Sequence, residues 1–143
     1  MRGLVVQRPD SSARDGRWWV RMTGNNGLPQ GWAWVKLADV ADIFSGICGF
    51  STQVEANFEG KNCQLAITSH CKAIQRLAEE LTEVNPFQEI SFRREMPQTY
   101  ELGIKYCSHA ACPVPAGIIK AVEIASGLAL PADVSIKLTK SDE

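Results

Sequence analysis

A chain of 143 residues, 45% hydrophobic and 22% charged, has material for one domain with a real core, too little for two, and no composition for wholesale disorder. A formal net charge of -1 excludes a broad basic face for nucleic acid. No apolar run approaches the ~18 residues of a membrane span, and the opening "MRGLVVQRPD" is too short in apolar residues for a signal-peptide core, so the chain reads as soluble and cytoplasmic.

Composition changes near residue 38: Trp18, Trp19, Trp32 and Trp34 precede it, and all five cysteines follow it. Residues 1–37 have no sustained helical period, and "TGNNGLPQG" is a dense turn signal. Three readings fit this part: a flexible arm, an added hairpin that docks its tryptophans, or an extension ahead of a later start such as Met22. Residues 38–143 form the single regular domain.

Within that domain, "LADVADIF" reads as a first strand, and "FSTQVEANF" alternates Phe50, Thr52, Val54, Ala56 and Phe58 against polar neighbours. The turn "EGKN" joins it to "CQLAIT", which makes a β-hairpin. Thr68 or Ser69 is placed to cap a helix running to about Glu83, with Ile74, Leu77, Ala78 and Leu81 as its apolar stripe. Glu79, Glu80 and Glu83 read as its solvated face. Gln88–Arg94 suits a short edge strand, and Pro97 opens a second helix towards Cys107. "PAGIIKAVEIASG" is a third helix stopped at Gly127, and "DVSIKL" returns as a C-terminal strand with Val134, Ile136 and Leu138 inward. The fold class is α+β: a mostly antiparallel sheet with helices packed on one face.

An odd number of cysteines cannot pair completely, and without an export signal they read as thiols or ligands rather than staples. Cys63 shares a strand face with Leu65 and Ile67 and belongs to the core. Cys48 lies in the Gly-flanked turn "SGICGF", Cys71 at a helix start, Cys107 at a helix end, and Cys112 just before the last helix. Helix starts favour thiolates, although Pro113 and Pro115 have no N–H to offer. Cys48, Cys71, Cys107 and Cys112 with His109 supply enough soft ligands for zinc or an iron–sulfur cluster, yet the spacing lacks CxxC. His109 reads as a ligand, as a base for Cys112 or, as readily as both of those together, as a surface cap of the preceding helix. His70 points about 100° away from Cys71 and reads as a surface residue. No Walker loop, GxGxxG, HExxH or nucleophile elbow occurs.

The stretch "CPVPAGIIKAVEIASG…DVSIKL" resembles the TusA-like sulfur carriers, in which Cys-Pro-x-Pro opens a helix; the resemblance implies a persulfide on Cys112. It departs from that pattern because the motif is C-terminal here and its cysteine has companions. A longer run, "SGICGF", "TSHC", "YCSHAACPVP" and "GLALPADVSI", resembles a family of small uncharacterised proteins of anaerobic bacteria and archaea. That resemblance makes Cys48, Cys71 and Cys112 motif cysteines, with Cys107 and His109 beside them, and brings no established activity.

The resulting expectation is a metal or iron–sulfur centre held by Cys48, Cys71, Cys107 and Cys112 with His109, in a carrier, sensor or redox accessory that works with a protein partner. One alternative is metal-free thiol or persulfide chemistry on Cys112, resolved by Cys71 or Cys48. The other is a plain interaction module. Whether the chain is an enzyme, and its oligomeric state, stay open at this stage.

Overall fold

The computed structural model describes residues 39–141, together with the backbone of 5–7, 17–21 and 32–36. The chain divides into two compact units, Met1–Ala38 and Asp39–Glu143. In the first, β1 (Val5–Gln7), β2 (Arg17–Arg21) and β3 (Trp32–Lys36) form an antiparallel meander. Trp19 lies opposite Trp34 in its register. The expected docking of the tryptophan side chains falls outside the described residues.

The second unit is α+β, as its pattern requires. Strands β4 (Asp39–Phe44), β5 (Ser51–Glu59), β6 (Asn62–Ser69) and β7 (Glu83–Val84) form an antiparallel sheet in that order. Alternation drives β5: Thr52, Val54 and Ala56 are buried while Ser51, Gln53 and Glu55 are exposed. The predicted hairpin is present, with Glu59 opposite Asn62 and Gly60 at φ +64° in a two-residue turn.

Helices α1 (Lys72–Glu80), α2 (Pro86–Glu89), α3 (Gln98–Tyr106) and α4 (Val114–Ala125) complete the unit. α4 packs on β4 and β5, and α1 on β6. Between them lies one core containing Val54, Leu65, Ile74, Leu77, Leu81, Val114, Ile118 and Val122. Each large side chain buried there contributes about 1.5–3 kcal/mol. Cys63 is fully buried in this core, as its strand face indicated. Among the described residues no helix is long and apolar enough to cross a membrane.

Three expected elements differ. α1 begins two to three residues late because Ser69 stays in β6 opposite Thr52, with their hydroxyls 2.8 Å apart. The Ser69 hydroxyl accepts the Cys71 N–H at 3.2 Å, leaving Cys71 at the N-cap. The helix also ends early, since the Leu65 N–H donates to the Thr82 carbonyl at 2.8 Å and draws the chain back to the sheet. Glu83 therefore sits on β7, accepting from Asn62 and Gln64, and not on a helix face.

The edge strand is that two-residue β7, and the predicted strand at Gln88–Arg94 is replaced by α2 and turns. Asn85 caps α2 by accepting the Phe87 N–H at 3.0 Å, with Pro86 at the first helical position. Finally, Gly127 stops α4 at φ +72°, and the Leu128 N–H donates to the Glu123 carbonyl at 2.8 Å, as foreseen. The C-terminal strand does not follow. Residues 130–141 are in no strand, and Val134, Ile136 and Leu138 are exposed.

Candidate functional site

The chain reverses between α3 and α4 in seven residues, "CSHAACP", and this turn carries the chemistry. Cys107 is the C-cap of α3, in extended conformation, with its N–H donated to the Gly103 carbonyl at 2.8 Å. Cys112 donates its N–H to the His109 carbonyl at 3.2 Å, and Pro113 turns the chain into α4. The two helices approach closely where α3 has Gly103. A Cβ built there would stand 3.2 Å from Cγ of Pro115 on α4.

That approach brings the ends of the helices together. The Cys107 thiol is near enough to both the Cys112 sulfur and Cys71, at the N-cap of α1, for each to act on it electrostatically. All three are half-buried against the hydrophobic core. Cys48 is exposed in a 3₁₀ turn, Gly46–Cys48, flanked by glycines at φ +68° and +70°. Its sulfur lies 3.8 Å from Nδ1 of His109. The His109 ring thus meets the thiol of a distant turn rather than capping α3. His70 is exposed, as expected of a surface residue.

Burial pushes the Cys107 thiol up to about 11, reinforced by the neighbouring Cys112 sulfur and by Cys71. Cys107 therefore holds its proton throughout the neutral range. The unfolded thiol releases its proton near its ordinary 9.0, so from there upwards the unfolded state alone becomes charged. Stability contributed by this group is complete below pH 9 and is lost as pH rises towards about 11. Urea melts at pH 7, 9, 10 and 11 are expected to show that decline, and Cys107→Ala is expected to flatten it.

The expected metal set of Cys48, Cys71, Cys107, Cys112 and His109 separates into two groups, Cys107 with Cys112 and Cys71 beside it, and Cys48 with His109. Among the described residues, no three His, Cys, Asp or Glu side chains are grouped so as to hold a metal ion. Zinc needs its ligands converging at about 2.0–2.3 Å on one point, and this arrangement does not fit that requirement. What the sequence missed is the pairing of Cys107 with Cys112. Its signal is a small residue, Gly103, one turn before the first cysteine, opposite a proline three residues after the second.

A model described as a family of unknown function, DUF6951, matches residues 40–138, and the chain belongs to that family. The match spans all five cysteines and His109. No curated protein and no solved structure matches the chain.

Proposed function

We propose that this member of the DUF6951 family is a dithiol protein that exchanges disulfides with a partner, with Cys112 as nucleophile and Cys107 as resolving thiol. The observation that carries the reading is the placement of both half-buried thiols on the tight α3–α4 turn, close enough to influence one another electrostatically. The Cys112 thiolate attacks one sulfur of the partner's disulfide, forming a mixed disulfide while the other partner sulfur leaves as thiolate and takes up a proton. Cys107 then gives up its proton and attacks the Cys112 sulfur. A Cys107–Cys112 disulfide forms, the partner leaves as a dithiol, and two electrons have passed from this protein to the partner.

Cys71 and Cys48 are not the resolving thiols in this scheme. Cys71 borders the pair, and Cys48 is engaged with His109. A persulfide on Cys112, which the "CPVP" stretch suggests, reaches the same endpoint: Cys107 attacks its inner sulfur and hydrosulfide leaves. The adjacent resolving thiol favours reduction over long-lived sulfur carriage.

Oxidised glutathione mixed with the reduced full chain provides the test, read by mass spectrometry and peptide mapping. Wild type is expected to finish with a Cys107–Cys112 disulfide and no bound glutathione. Cys107→Ser is expected to stall with glutathione on Cys112, and Cys112→Ser to lose most of the rate. The reading fails if Cys112→Ser reacts as fast as wild type, or if glutathione settles on Cys48. Stoichiometric zinc or iron in the same preparation, lost in both variants, overturns it in favour of a ligated centre.

A further inference from the structure

The C-terminal tail has the pattern of a strand and no strand to pair with. From Leu130 to Leu138 apolar residues occupy every second position: Leu130, Ala132, Val134, Ile136 and Leu138. Such alternation is the signature of a half-buried strand. Yet Leu130 is 88% exposed, Val134 62%, Ile136 76% and Leu138 89%. The family match ends at residue 138, where the alternation ends, so the tail is part of the shared domain. A row of exposed apolar residues on a domain segment requires a surface to cover it.

The same chain offers a matching edge. β4 is the outer strand of the sheet, and among the described residues it pairs only with β5. The other outer strand, β7, has two residues and is too short to receive the tail. On β4, Ala41 and Ile43 face the helices and are half-buried, while Asp42 faces the open side and is exposed. Charged residues of this kind on an edge discourage indiscriminate pairing and select a complementary strand.

One antiparallel register satisfies both faces. Placing Lys137 opposite Asp42 puts Leu138 opposite Ala41 and Ile136 opposite Ile43. The apolar row of the tail then extends the apolar row under α4, and the opposite charges meet on the open face. A slip by one residue would turn Ile136 and Leu138 to water.

We propose that two copies of this chain form a two-fold dimer by strand exchange, each laying residues 135–138 antiparallel along β4 of the other. Both halves of the contact are on every copy, so the exchange closes with two-fold symmetry and leaves neither tail nor edge uncovered.

Sedimentation equilibrium and light scattering on the full chain are expected to give a dimer at micromolar concentration. Lys137→Glu and Asp42→Lys each set like charges opposite one another twice per dimer and are expected to weaken it about tenfold. The double variant Asp42→Lys with Lys137→Glu restores opposite charges and is expected to recover the dimer, which excludes misfolding as the cause of the losses. Ile136→Asp is expected to give monomer with an unchanged thermal midpoint at low concentration. A monomeric wild type, including one whose tail amides are protected from exchange by its own sheet, overturns the proposal. So does a dimer indifferent to all four variants.

Discussion

Glu89→Ala is expected to cost about 2–4 kcal/mol, more than the loss of any surface charge elsewhere in the domain. Glu89 is 2% exposed, and its carboxylate holds the first turn of a helix to which it does not belong. One oxygen accepts the Gln98 N–H at 2.9 Å, and the other accepts the Thr99 N–H at 3.1 Å. α3 needs this help because its N-cap, Pro97, has no side chain able to accept. The carboxylate also complements the positive end of the helix dipole. Removal leaves two N–H groups without acceptors, and the one on Thr99 is at a fully buried residue.

Glu89→Gln retains a single acceptor oxygen and is expected to recover only part of the loss. Glu101, in the same first turn but exposed, supplies the control: Glu101→Ala is expected within about 0.5 kcal/mol of wild type. Urea denaturation measures all three. Hydrogen exchange at Gln98 and Thr99 locates the effect at the helix start. Because α3 ends in Cys107, a frayed start also loosens the thiol pair.

Where local chemistry decides an element, the sequence was sufficient. Val54 and Ala56 alternate with polar residues in a strand that has neighbours on both sides, and that strand forms as read. Gly127 and Leu128 stop α4 because a glycine at positive φ and its following residue do so wherever they occur. The positions of Cys71, Cys107 and Cys112 at element ends were legible for the same reason, prolines and polar turns being local signals. Val134, Ile136 and Leu138 alternate as faithfully as β5, but alternation fixes only the two faces of a strand and not whether the segment is laid on an edge of its own sheet. The partnership of Cys107 with Cys112 was not legible either. It depends on how closely α3 and α4 pack, a property of Gly103 and Pro115 together that neither segment reveals alone. Glu89 escaped attention because a glutamate reads as solvent-facing unless the helix start beneath it is known.

Gly117 is a second place where packing decides against local preference. Within a helix alanine is favoured over glycine by up to about 1 kcal/mol, so even at the fourth residue of α4 propensity alone makes Gly117→Ala stabilising. Packing reverses the sign. A Cβ at Gly117 would stand 2.3 Å from Cδ1 and 2.6 Å from Cγ1 of Ile43 on β4. The terminal methyl can rotate away, but Cγ1 clears only if Ile43 leaves its χ1 rotamer, which is costly for a β-branched side chain, or if the strand or the helix moves. Overpacking of this kind costs about 1–3 kcal/mol, and a net loss of about 1–2 kcal/mol is expected for Gly117→Ala. In an Ile43→Ala background the obstruction is gone, and the same substitution is expected to stabilise by up to about 1 kcal/mol. The sign change across the double-mutant cycle, measured by urea denaturation, isolates the contact between helix and strand from any effect on the unfolded chain. Equal effects of Gly117→Ala in both backgrounds would show that α4 does not sit this close to β4. The consequence reaches the site, because α4 carries Cys112 at its start. A helix lifted from β4 would draw that sulfur away from Cys107, and slower closure of the Cys107–Cys112 disulfide in Gly117→Ala is the expected companion result.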